Sequence, residues 1–328
     1  MELTPDRLIA IEEIRQKNPR FLFRTFSESS GRRREMGFIP DQEVPVLNSG
    51  ESIVPLGYLK FRTRACLKRR IHDIQDLEKM VHDHIGAKYC ETEFTSWTPS
   101  IVLVLAYACQ KFRNGENDVG IAMLDTYQPG VYAYPVHALH LCSGCCRMGV
   151  EYLVHGVIRH PKFSSVLLKS WLHTGWMPSV EIARGIWGYG VRDPKWAGPA
   201  ARSKAFTSDE LDMIVRVVQL YARREQRDMA IALTAALLNM RCRPWHRRPE
   251  LYEQAWTKVF NALREHGYDF KDPDKPVPIL APAGHVAGES FSDIHEFLNF
   301  LRPVHDKPRV HEPQREEWQI AIDRSRNM

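Results

Sequence analysis

Glu93-Phe94-Thr95-Ser96-Trp97-Thr98-Pro99-Ser100, running into Ile101-Val102-Leu103-Val104-Leu105-Ala106-Tyr107-Ala108, is the stretch on which the fold turns. It reads as the end of a strand, a hydroxyl-rich turn and a strongly apolar helix. Thr98 or Ser100 suits the N-cap, where a side-chain oxygen accepts an otherwise unpaired helix N–H. Pro99 suits a first helical position, because its missing N–H would have no partner there. Several hydroxyls and one indole are thus gathered at the mouth of a buried helix. Hydroxyls so placed either serve a ligand or only cap, and the rest of the chain must supply partners to decide between the two.

Upstream, 4–14 has helical spacing, and Phe21-Leu22-Phe23-Arg24-Thr25-Phe26 reads as an aromatic-rich strand with one charge. An Arg among apolar neighbours must be paired, reach water with its tip, or bind something anionic. Residues 31–60 read as a long surface loop and 73–85 as a helix. Downstream, 119–125 and 131–134 read as strands, and 149–158 as another, headed by Glu151. A carboxylate at the head of an apolar strand pairs with an Arg, rests at the sheet rim or performs chemistry.

The 328 residues suffice for one large or two ordinary domains, and 44% hydrophobic with 26% charged residues is an ordinary globular composition. A net charge of +5 permits a polyanionic partner without naming one. Seven cysteines, an odd number in a chain with ample core, read as reduced thiols. The first residues lack a basic region followed by an apolar one, and no apolar run approaches the ~20 residues that span a bilayer. The expectation is a protein without membrane contact, cytoplasmic or nuclear.

His137, His140, Cys142, Cys145 and Cys146 fall within ten residues and invite a zinc reading, but no second ligand pair follows downstream. No resident metal is expected. A basic group at Arg62, Arg64, Lys68, Arg69, Arg70 and His72 fits a solvated face better than a nucleic-acid contact, since no aromatic residues are interleaved, while a second at Arg223 to Arg248 fits either equally. After about residue 165 the chain changes character. An irregular linker over 171–205, rich in Trp, Gly and Pro, leads to Thr207-Ser208-Asp209-Glu210, a capping-box pattern. Helices are expected after it, over about 227–240 and 249–266, with Gly267 as a C-cap. Another begins near 292, and no internal repeat is found.

A strand Arg, a strand-to-helix hydroxyl cluster and a strand-head Glu, in that order, resemble the Arg–Ser–Glu class of ADP-ribosyltransferases, the clade of cholera and pertussis toxins. Phe23-Arg24 corresponds to its first signature, Phe94-Thr95-Ser96-Trp97-Thr98 to its Ser-Thr-Ser segment, and Glu151, with Gly156 and Ile158 in register, to its third. The spelling is also similar to a fungal family that carries this core. The resemblance covers about residues 20–165. It implies an α+β fold, an ADP-ribosyltransferase-like split β-sandwich with flanking helices over 1–168, followed by an all-α C-terminal region over 169–328.

The resemblance further implies NAD as substrate and an acceptor that the sequence does not name. Cleaving the nicotinamide–ribose bond passes through an oxocarbenium-like cation, as in glycoside hydrolysis. A carboxylate near the ribose 2′-hydroxyl favours that state as positive charge grows, which is the role implied for Glu151. Arg24 would bind the pyrophosphate in two-point fashion. Thr95 and Ser96 would orient Glu151 or bind the ribose, and Trp97 would wall the nicotinamide. The sequence departs from the pattern at Gly149, where arginine-modifying members carry Glu or Gln, and at Trp97, which lacks the third hydroxyl. Hydrolysis of NAD, transfer to another acceptor, and an inactive interaction module that keeps Arg24 and Glu151 as an ion pair all stay open.

Overall fold

A computed structural model of the chain describes residues 13, 18–27, 30, 49–55, 74–85, 92–116, 118–136, 151–175, 206–239 and 249–268. The described part is mixed α and β, with small antiparallel sheets. Strand β1 (Phe21–Phe26) and the short β2 (Ser52–Ile53) precede helix α1 (Ile74–Ile85). Strand β3 (Phe94–Trp97) then feeds α2 (Ile101–Arg113). Strands β4 (Gly120–Asp125), β5 (Tyr132–Pro135), β6 (Tyr152–His155), β7 (Ile158–Arg159) and β8 (Phe163–Leu167) follow, and then α3 (Leu168–His173). The second half holds α4 (Ser208–Tyr221), α5 (Arg227–Asn239) and α6 (Pro249–Glu265).

One three-stranded sheet runs β1-β4-β8 and a second runs β3-β6-β5, while β2 pairs with β7. The two larger sheets touch through one bridge, Phe23 opposite Thr98, with N–H to O distances of 2.7 and 2.9 Å. No ladder continues past it, so β1 and β3 part after a single residue pair. Arg24 is the first residue of β1 beyond that bridge.

Side chains alternate across a strand, so each face of β1-β4-β8 meets a different layer. Phe21 and Phe23 of β1 and Ile121 and Met123 of β4 join α2, α3 and the helices α4 to α6 in one buried cluster. Leu22 and Phe26, with Ala122 and Leu124, face Trp97 and Val154 of the second sheet in another. By alternation Arg24 shares the Leu22 and Phe26 face of β1. Gly120 lies opposite Phe26, and a Cβ there would collide with the Phe26 ring.

Helix α2 starts two residues later than Pro99 suggests. Ser100 is the N-cap and accepts from Leu103 N at 3.1 Å, so Pro99 precedes the cap instead of opening the helix. The strand expected over 149–158 is interrupted at Gly156, whose φ of 80° turns the chain between β6 and β7. The Thr207 capping box forms in both directions, at 3.2 and 2.9 Å, and Gly267 has a φ of 87° after α6. Val217, Leu233 and Val259 from α4, α5 and α6 lie in the same cluster as Ile121, so the core runs across the expected division at 168 and 169. Trp171 is fully buried there; its indole donates to Tyr221 Oη at 2.8 Å, and Tyr221 donates to Ile121 O at 3.0 Å. Apart from Glu13, the expected helix at 4–14 lies outside the described residues, as do the helix expected near 292, the five-residue His/Cys group, the basic run at 62–72 and the part of the second run from Arg241 to Arg248. No described helix is long and apolar enough to cross a membrane.

Candidate functional site

The site begins where the two sheets separate. Beyond the Phe23–Thr98 bridge the backbones no longer pair, and a side chain spans the gap: Arg24 Nη1 donates to Ser96 O at 2.7 Å. Arg24 Nε is buried without a hydrogen-bond partner. Loss of water around the guanidinium pushes its pKa down to about 10, against the opposing pull of the Glu151 carboxylate. Arg24 therefore stays cationic at neutral pH. Arg24 and Glu151 do not form the ion pair that a purely structural reading expects. They sit within electrostatic reach, and the guanidinium rests on a carbonyl.

The expected hydroxyls divide between the two faces of β3. Trp97 Nε1 donates to Thr95 Oγ1 at 2.9 Å, and Thr95 donates to Val154 O at 3.3 Å. Both side chains are buried, Trp97 at 1% exposure and Thr95 at 3%, so they belong to the inter-sheet core. Ser96 faces the other way, towards α1. Glu151 continues the alternation of Leu153, the cross-strand partner of Ser96, and so belongs to the Ser96 face of the β3–β6 pair.

His84 on α1 completes the cluster, and the sequence reading did not single it out. Its Nε2 lies 2.8 Å from Ser96 Oγ and its Nδ1 lies 2.6 Å from Thr92 Oγ1. Burial, and then the positive charge of Arg24, push its pKa down to about 4, so the imidazole is neutral at pH 7. The available signal was helical spacing. Val81 is fully buried, and a residue three positions on shares its helix face. Next along β3, Phe94 packs edge-on to His84 and to His155, with centroids 6.4 and 5.7 Å away. His155 Nε2 lies 2.9 Å from Glu93 Oε2.

A guanidinium with an unpartnered Nε can donate to an anion, and a hydroxyl and a carboxylate can bond to hydroxyl groups. Among the described residues no group of three or more His, Cys, Asp or Glu side chains is placed to hold a metal ion. At the opposite end of β1 is an open pocket of about 350 Å³, lined by Arg20, Asp125, Gln128, Glu225, Arg227 and Asp228 among others. There Arg20 donates from Nε and Nη2 to the Asp125 carboxylate at 3.1 and 3.0 Å, and from Nη1 to Asp228 at 2.6 Å. Comparison with protein-family models, with curated proteins and with solved structures finds no match to this chain.

Proposed function

We propose that the chain is an ADP-ribosyltransferase-like protein that binds NAD and cleaves its nicotinamide–ribose bond, by hydrolysis or by ADP-ribosyl transfer to a protein or other acceptor. The carrying observation is the convergence of Arg24, Ser96 and Glu151 where two antiparallel sheets separate. Two three-stranded sheets touching at one bridge are in keeping with a split β-sandwich. The buried, unpartnered Arg24 Nε suits an anionic ligand such as a pyrophosphate.

In this reading Arg24 fixes the pyrophosphate, and Glu151 accepts from the ribose 2′-hydroxyl. As the C–N bond breaks, nicotinamide leaves with the electron pair and positive charge spreads over the ribose, where the carboxylate stabilises it. Water or an acceptor hydroxyl then adds to the ribose carbon and gives up its proton to the Glu151 carboxylate or to solvent. Thr95 acts only through the β3 backbone it steadies, and Trp97 likewise.

The second reading is an inactive interaction module. It is favoured by the burial of Thr95 and Trp97, which leaves fewer donors for a nucleotide. Incubating the purified chain with NAD and following nicotinamide release separates the two. We expect turnover that falls about 100-fold or more in Glu151→Ala, and weaker NAD binding in Arg24→Ala. An absence of both turnover and NAD binding would leave the interaction module standing.

A further inference from the structure

We infer that His84, held by Thr92, positions the Ser96 hydroxyl as a hydrogen-bond donor towards the space between Arg24 and Glu151, where the ligand, NAD in the reading above, presents a ribose oxygen. The inference rests on that reading for the ligand's identity, and for the relay on the hydrogen-bond geometry of Thr92, His84 and Ser96 with a neutral ring.

Thr92 is 4% exposed, and among the described residues the His84 ring is the one hydrogen-bond partner of its hydroxyl. If Nδ1 carried the proton and donated to Thr92, the buried Thr92 hydroxyl hydrogen would have no acceptor. Thr92 therefore donates to Nδ1, which fixes the proton of the neutral ring on Nε2. Nε2–H then donates to Ser96 Oγ across 2.8 Å. The Ser96 hydrogen cannot point back at the ring, so it is left to donate elsewhere: to a ribose oxygen or to the Glu151 carboxylate.

The same pair read as a serine nucleophile with a histidine base runs against the local field. Accepting the Ser96 proton would create an imidazolium beside Arg24, whose charge already lowers the pKa of the ring. The pair works in the donating direction, and His84 is a positioning residue.

Imidazole ¹⁵N shifts of the labelled full chain at pH 7 test the relay without NAD. We expect a neutral Nε2–H ring in the wild type and a mixture of tautomers in Thr92→Val. An Nδ1–H ring in the wild type would overturn the inference. With NAD, His84→Ala and Ser96→Ala should lower kcat roughly tenfold or more with KM little changed, whereas His84→Gln, whose amide can still donate to Ser96, recovers most of the rate. Wild-type rates in His84→Ala would also overturn it. A wild type that does not release nicotinamide removes the NAD reading only, and the tautomer then decides the relay.

Discussion

The two ends of strand β1 carry arginines in opposite circumstances. Arg20, just before the strand, reaches Asp125 through two nitrogens and Asp228 through a third, and it lies over the rings of Phe21 and Tyr127 at 5.0 and 5.4 Å. Its two carboxylates outweigh the cost of burial, and its pKa is raised. Arg24, four residues on, has one carbonyl and an unpartnered Nε, and its pKa is lowered. A protein holds a cation in the first manner to join elements, since Asp125 belongs to β4 and Asp228 to α5. The second manner costs stability unless an anion arrives.

The widest gap should appear in urea unfolding. Removing Arg20 takes the countercharge from two carboxylates, one of them buried, so Arg20→Ala should lose about 3 kcal/mol. Arg24→Met removes an incompletely satisfied cation and should be neutral or stabilising. Equal losses at both positions would erase the contrast.

Acid comes next. His84 has a folded pKa of about 4 against an unfolded value near 6.5, so the unfolded chain binds more protons between those limits. Its contribution to stability is complete above about pH 6.5 and is lost as pH falls towards 4, on the order of 3 kcal/mol in all. Arg24→Met should raise the His84 pKa and flatten this slope, though not to 6.5, because burial is the larger cause. Arg20→Ala should leave the His84 titration, followed by NMR, where it is.

Inorganic pyrophosphate at about ten times its Kd should stabilise the wild type by roughly 1.4 kcal/mol, seen as a rise in Tm of about 2 °C. Arg24→Met should show no rise. A rise retained there would move the anion to the Arg20 end. The smallest effect is expected from Asp228→Asn, which leaves both Asp125 contacts in place at a partly exposed pair. It should cost about 1 kcal/mol.

Much of the α and β content was legible in the residues because local rules agreed with tertiary ones. The alternation and aromatic content of 21–26, the Thr207–Glu210 capping box and the Gly267 stop each led to the element observed. Strand β8 escaped, since Phe163-Ser-Ser-Val-Leu carries only a partial apolar pattern and gains strand form by pairing with β4. The division at 168 and 169 followed a change of composition. Composition cannot show that Tyr221 reaches Ile121, because that contact joins residues 100 apart. At the site, Arg24, Ser96 and Glu151 were readable as types in order. Which β3 hydroxyl faces α1 was not, because alternation gives two sets of side chains without saying which set the core takes. Trp97 decided it: the large ring took the inter-sheet layer and drew Thr95 with it. His84 was hidden in a polar helix whose inward face only the folded chain defines.

Gly120 has a bearing on this site that its position would not suggest. Its missing side chain leaves the notch in which the Phe26 ring sits. Strand β1 sliding by two residues along β4 would keep its apolar faces in place, so alternation alone tolerates the error. The notch does not, because a ring pairs with a gap in one alignment only. Phe26 over Gly120 sets Arg24 opposite Ala122, and Phe23 is left at the bridge to Thr98. The absence of one methyl group thus acts as an alignment pin, and the placement of Arg24 is inherited from it.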